Sequence, residues 1–218
     1  MIKLSESQVA GLVNQPESGM GYQVVEVEFP TQIRKGTVYN AELLLWEHEP
    51  QAILSEPYDK LIERASVSEA RQIRSIRVVV PPRAAGESAF GRRAEASRGK
   101  PATEGEPTTT LHGELFARFT AYRNDRRITP KKGLMPGTYG TTDADARIVK
   151  SGSEAVERYA LPDPKPATYR YRIDPRLGTV YRQGVVQPAY GHKGGGVEVI
   201  FDNGTQDNTV SLSAVLPP

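Results

Sequence analysis

Hydrophobic and polar residues follow regular periods over most of the first 80 positions. Residues 5–15 begin with Ser5 as an N-cap, carry Gln8 three positions later and place apolar residues on one face, which predicts a short helix. Residues 22–29 alternate between apolar and acidic side chains, which predicts a half-buried strand.

The remaining pattern of this region completes a small module. After a turn-like polar stretch come a second apolar run, two stretches with helical spacing and a closing strand, at 37–46, 57–67, 68–76 and 77–80. Residues 1–80 are therefore predicted to form a small α+β module. Since no catalytic constellation is visible in it, we interpret its role as binding or docking.

Residues 81–114 differ abruptly in composition. Proline, glycine, alanine and threonine dominate, and Phe90 and Leu111 are almost the only large apolar side chains. Such a segment buries too little surface to offset the entropy of ordering it. It is predicted to be a flexible linker, or an extended arm that orders against a partner.

Strand patterns return from residue 115 onward. Alternating segments occur at 115–122, 169–174, 197–201 and 209–215, and a short helix capped by Ser153 is predicted at 153–159. Residues 115–218 are thus predicted to form a mainly antiparallel β domain, and the whole chain belongs to the α+β class.

Composition and charge narrow the functional classes. The 218 residues carry a net charge of +2 and no cysteine, which excludes disulfides, thiolate metal sites and cysteine nucleophiles. Residues 1–80 are net acidic and 115–218 net basic, so the second region favours an anionic ligand. No signal-peptide pattern or apolar segment of membrane-spanning length occurs, which indicates a protein that is cytoplasmic or delivered to a cytoplasm, without membrane partners.

Two segments of the basic region have the composition of a ligand site. Tyr139 lies between glycines in GLMPGTYGTTDAD, where a backbone can approach a ligand and the ring can stack, although an anchoring turn has the same pattern. Five cations between 123 and 132 can bind a diphosphate or a nucleic-acid backbone, or form a solvated face.

Histidine and glycine residues complete the candidate chemistry. His48, His112 and His192 lie in three different regions, so no metal site is predicted. The glycines at 194–196 precede a strand and lack a following GK[ST], which argues against a phosphate-binding P-loop and for a loop that lies flat against a ligand or a strand.

The order of these motifs resembles a known family. GTYGTT (137–142), RYALPDP (158–164), YRYRID (169–174) and GVVQPAYGHKGGGVEV (184–199) follow one another. This order is similar to the C-terminal toxin domains of the tuberculosis necrotizing toxin type, which are NAD glycohydrolases with a reduced ADP-ribosyltransferase-like fold. The resemblance covers about residues 127–201, less than half of the chain.

The resemblance implies roles for individual residues toward NAD as substrate. Tyr139 matches the aromatic residue that faces the nicotinamide, and Arg158 matches an arginine that contacts the diphosphate. His192 stands where the family has a glutamine near the ribose. Lys131 stands where an arginine is expected, and lysine lacks the bidentate fork of arginine, so Arg126 or Arg127 is an alternative diphosphate ligand.

These assignments imply an NAD cleft walled by Tyr139 and the glycine loop that includes Gly194, Gly195 and Gly196. In this hypothesis Glu198 stabilises the cationic sugar while the glycosidic bond to nicotinamide breaks, and water or another acceptor then takes the ADP-ribose. Glu198 is equally interpreted as an outward-facing acid on an alternating strand.

Two other classes of function remain open from the sequence. One is a non-catalytic docking component of a larger assembly, such as a virion or a secretion apparatus, which keeps the fold and contacts other subunits through residues 1–114. The other, less favoured, is nucleic-acid binding through the cations at 123–132.

Overall fold

The chain folds into two mostly antiparallel sheets. In the computed structural model, which describes residues 1–47, 56, 58–79, 99–162 and 167–218, one sheet has five strands and the other has seven. Few and short helices accompany them, which confirms the α+β class.

The first sheet is built from the N-terminal residues. Its strands are β1 (Ile2–Lys3), β2 (Tyr22–Glu28), β3 (Ile33–Tyr39), β4 (Leu43–Trp46) and β5 (Ser75–Val78). They lie in the order β1-β4-β3-β2-β5. It is accompanied by helix α1 (Glu6–Val13), helix α2 (Tyr58–Arg64) and a 3-10 turn (Glu69–Gln72).

The second sheet contains the remaining strands, β6 (Thr108–Thr109), β7 (Phe116–Thr120), β8 (Thr138–Thr142), β9 (Tyr169–Ile173), β10 (Val180–Val185), β11 (Val197–Phe201) and β12 (Val210–Val215). They lie in the order β12-β9-β7-β8-β11-β10-β6. Helices α3 (Asp143–Ala146) and α4 (Gly152–Arg158) and a 3-10 turn (Ala102–Glu104) pack with it. Separate apolar clusters cover its two faces, one that includes Phe119 and Tyr139 and one that includes Phe116 and Phe201.

Several local predictions are confirmed. Ser5 caps α1, and it forms the expected capping box with Gln8. The strand predicted at 22–29 is β2. Helix α4 lies where a helix was predicted, although its N-cap is Ser151 and not Ser153.

Other local predictions are wrong. Residues 31–36 are predicted as a turn, but 33–36 extend β3, and the apolar run 37–46 is divided by a tight turn at Asn40 and Ala41, both at positive φ. The helical spacing of 68–76 becomes a 3-10 turn followed by β5, because β2 offers backbone partners to residues 75–78.

The described part of the predicted linker is structured. Residues 81–98 lie outside the described residues, but from residue 99 onward the segment packs on the second sheet. Thr108 and Thr109 pair with β10, and Ala102 is fully buried. Residues 99–114 are therefore not a linker in this structure, because the sheet supplies the backbone partners and apolar contacts that their own composition lacks.

Two further classes of feature are absent from the described ranges. No helix there has the length and apolar character to span a bilayer. Within the same residues, no three histidine or acidic side chains are grouped in a way that can hold a metal ion.

Candidate functional site

The second sheet is split between two of its central strands. Strands β7 and β8 pair only through Phe116 with Thr142 and Ala117 with Thr141. Beyond these pairs, residues 16–21 lie between the strands. They form a loop of the first unit, by which we mean the N-terminal residues that carry the first sheet. The backbone N–H of Tyr139 donates to Glu17 Oε2 (2.9 Å), and that of Phe119 donates to the sulfur of Met20 (3.1 Å). The loop thus binds backbone N–H groups of β7 and β8 where these two strands do not pair with each other.

The Glu17 carboxylate lies in a cradle of hydrogen-bond donors. Arg118 binds both of its oxygens, with Nη1 to Oε2 and Nη2 to Oε1 each 2.8 Å apart. The N–H of Gly21 donates to Oε1 (3.0 Å), and Arg127 Nε lies 3.6 Å from the same oxygen. Together with the Tyr139 N–H, these groups surround a single anion.

A second carboxylate completes a buried network of four charges. Arg118 Nε donates to Asp125 Oδ2 (2.6 Å), and the side chains of Arg118 and Asp125 are 0% and 1% exposed. Burial lowers the pKa of Arg118, but Asp125 and Glu17 outweigh that effect and raise it overall. The network contains two guanidinium groups and two carboxylates, so its net charge is zero. This charge balance lowers the free-energy cost of burying it.

Arg127 joins this network and the N-terminal helix. Its guanidinium donates to the backbone carbonyls of Val13 (2.8 Å), the last residue of α1, and of Gln15 (2.6 Å), two residues later. Burial, its largest influence, lowers the pKa of Arg127. In this conformation the donors of Arg127 face backbone carbonyls and Glu17, and its assignment to a diphosphate stays a prediction.

A small pocket adjoins the split at the junction of the two sheets. It is lined by aromatic and apolar groups, among them Met20, Tyr22, Tyr39, Phe119, Tyr122 and Leu161. Its free volume is about 20 Å³, whereas sites for drug-sized ligands measure roughly 300–1,000 Å³. The pocket therefore holds no more than a water-sized molecule in this conformation.

Tyr139 does not wall an open cleft. Its side chain is 4% exposed and packs in the apolar cluster that contains Met20, Phe119 and Tyr159. The predicted cleft walled by Tyr139 is not open in this structure, because Tyr139 lies within β8 and its ring faces the layer that contains helix α4.

The glycine loop lies at the C-terminal end of helix α4. The N–H groups of Gly194 and Gly196 donate to the carbonyls of Glu157 and Arg158, each at 3.2 Å. These carbonyls have no partner inside the helix, so the loop caps it. A Cβ on Gly196 would lie 2.9 Å from the side chains of Arg158 and Tyr159, which explains why only glycine fits.

His192 belongs to the same cap and does not approach Tyr139. Its Nδ1 lies 2.8 Å from Glu157 Oε2, and the N–H of Lys193 donates to the other oxygen (3.1 Å). The hydrogen bond from His192 leads the influences that lower the pKa of Glu157. Since Val156 of α4 packs in the Tyr139 cluster, the helix fills the crevice that was predicted between the two residues.

Glu198 lies on the same sheet face as Tyr139. Ile200 is directly opposite Tyr139 across β11 and β8, and Glu198 is two residues before Ile200, so the three side chains share one face. Glu198 is 4% exposed, and its Oε1 accepts the N–H of Ala102 (2.9 Å). The alternative of an outward-facing acid is wrong, because residues 99–105 cover it.

Arg158 and Lys131 lie in different environments. Arg158 forms a two-point ion pair with buried Asp145, which also accepts the hydroxyl of Tyr159 (3.0 Å). The hydrogen bond to Asp145 is the main reason that the pKa of Arg158 is raised. The Lys131 side chain is 79% exposed and lies 3.6 Å from Asp207. Neither residue contacts the split.

Sequence reasoning missed the centre of the site. Arg118, Glu17 and Asp125 were assigned no role, and Gly194, Gly195 and Gly196 were assigned to a ligand instead of a helix cap. One signal was available for Arg118, since it is the only charge within the apolar strand FARFT. Its partner Glu17 is 101 residues away, which no local pattern reveals.

Comparison with known proteins finds no matching family model, no similar curated protein and no similar solved structure.

Proposed function

We propose that the second unit, residues 99–218, binds NAD at the split between β7 and β8. The observation that carries this proposal is the cradle around Glu17, in which Arg118, Arg127 and the Tyr139 N–H converge on one anion. Arginine forks bind phosphate oxygens with the same bidentate geometry that they use for carboxylates. The ADP-ribosyltransferase-like resemblance supports the choice of a dinucleotide.

The sheet face that carries Tyr139 also supplies an acid for glycosidic cleavage. Glu198, which lies on this face, would stabilise the cationic ribose. In this reaction the ribose C1′–N bond breaks and nicotinamide leaves with the bonding electrons. Water then bonds to C1′ and releases a proton, so the products are nicotinamide, ADP-ribose and H⁺.

The described conformation is a closed one in this proposal. Glu17 and Met20 occupy the split, and residues 99–105 cover Glu198. Binding therefore requires the loop at 16–21 to withdraw, and turnover requires Glu198 to become accessible. Such a closed state would keep a toxin or effector inactive until it has been delivered.

The test measures free nicotinamide and NAD binding with the full chain. Glu198→Gln keeps the volume of the side chain and an acceptor for Ala102, so it is expected to retain binding and abolish nicotinamide release. Glu106→Gln, at an exposed acid, is the matched control and should leave both unchanged. If neither the full chain nor its Glu17→Gln variant binds NAD at millimolar concentration, the proposal is overturned.

A second candidate function is a non-catalytic docking component of a larger assembly. The observation in its favour is that Tyr139, Glu198 and Gly196 all have packing or hydrogen-bonding roles inside the fold. This function predicts that the chain forms a defined oligomer or complex and does not bind NAD. Sedimentation of the purified chain checks it, and a concentration-independent monomer that releases nicotinamide would exclude it.

A further inference from the structure

The loop at 16–21 connects α1 to β2, and it contacts the second unit as well as the first sheet. The N–H of Glu17 donates to the carbonyl of Gly137 (3.2 Å), and a Cβ on Gly137 would lie 2.8 Å from Pro16. Met20 lies in the apolar cluster of the second sheet. The loop therefore fills the split as a plug, which we call the 16–21 plug.

The charge of the cradle depends on the plug. Without Glu17, the buried groups are the two cations Arg118 and Arg127 and the single anion Asp125. A buried guanidinium left without one of its carboxylates is strongly unfavourable, so the vacated cradle requires another anion. Its donors suit any group with two or more oxygens, a carboxylate or a phosphate alike.

We propose that the 16–21 plug is a built-in competitor, in which the Glu17 carboxylate occupies the site of the ligand's diphosphate. The identity of the ligand as NAD rests on the proposed function, whereas the anion site rests on the cradle itself. The first unit thereby regulates the second, because ligand and plug exclude each other.

Contacts away from Glu17 hold the two units together. Arg126 donates to Glu42 Oε2 through Nε (2.9 Å) and Nη2 (2.6 Å), and Asn40 accepts the N–H of Arg126 (2.9 Å). Tyr58 packs on Tyr122 with ring centroids 4.6 Å apart. A Glu17 variant thus keeps most of the junction, and vacating the cradle does not require the units to separate.

The experiment titrates full-length variants with inorganic pyrophosphate and, separately, with NAD. Glu17→Ala empties the cradle, and Glu17→Gln keeps its volume but turns an amide N–H₂ toward a guanidinium. Both should bind pyrophosphate at least about tenfold more tightly than the unmodified chain, because the binding-competent fraction rises. Glu106→Ala, at an exposed acid, should bind like the unmodified chain.

The outcomes separate the two proposals. Tighter pyrophosphate binding without NAD binding would retain the anion site and overturn the NAD function. Turnover or binding of NAD by the unmodified chain, with no gain in either variant, would retain the function and overturn the competing plug. If both variants fail to fold, the test uses the NMR signals of the Phe119 and Tyr139 amides in the unmodified chain. Pyrophosphate must shift these signals if it displaces the plug, and unchanged signals would overturn the competing plug.

Discussion

Arg118 and Glu17 form a two-point ion pair across the junction of the two sheets, with side chains that are 0% and 2% exposed. The pair joins positions 101 residues apart. Because both charges are buried, this pair balances charge across the junction, and the two sheets depend on each other electrostatically as well as through packing.

Removal of Glu17 should therefore be costly when no competing anion is present. In a buffer free of polyvalent anions, Glu17→Ala is expected to lower the free energy of unfolding by about 3–5 kcal/mol, the range for breaking a buried ion pair. Chemical denaturation measures this loss. Glu106→Ala should change it by less than about 0.5 kcal/mol, and an equal effect of both would show that the pair is not a stabilising contact.

The cap on helix α4 predicts the effect of a methyl group in the glycine loop. Gly196→Ala places a Cβ about 3 Å from Arg158 and Tyr159 and should destabilise the fold by about 1–3 kcal/mol. Gly11→Ala, in α1 with nothing within 4 Å, is the control and should be neutral or stabilise by up to about 1 kcal/mol. Thermal unfolding compares them, and the reverse order would refute the cap.

Residues 99–105, which cover Glu198, lie close against β10 at Gly184. A Cβ on Gly184 would lie 2.2 Å from the Ala102 nitrogen, so Gly184→Ala must push residues 100–102 away from the sheet. We expect faster hydrogen exchange at the Ala102 amide, since its bond to Glu198 lengthens or breaks. Gly178→Ala meets nothing within 4 Å and should leave that exchange unchanged, although its positive φ adds local strain.

Alkaline pH should destabilise the chain through its buried tyrosines. Burial, followed by the hydrogen bond to Glu114 (2.9 Å), raises the pKa of Tyr181 from 10.0 to about 12. Between these values the unfolded chain loses the proton first, so the free energy of unfolding falls as pH rises from 10.0 toward about 12. Below pH 10 this contribution is fully present.

Tyr181→Phe separates this effect from other alkaline changes. The variant should show a shallower fall of unfolding free energy across that pH range, by about one proton in slope, measured by denaturant titration at each pH. An unchanged slope would mean that Tyr181 titrates at its ordinary value in the folded chain.

Local signals in the sequence determined several elements of the secondary structure. The Ser5 capping box, the alternation of β2 and the strand after the glycine string depend on neighbours within a few residues, and each is present as predicted. The α+β class follows from the same patterns.

Tertiary structure alone decided which side chains form the site. Arg118, Glu198 and Tyr139 lie on strands whose period shows which residues share a face but not what covers it, and the covers come from residues 16–21 and 99–105. A composition that predicts a linker becomes an ordered cover once a sheet edge offers partners. Such contacts join residues about a hundred positions apart, and a pattern along the chain carries no record of them.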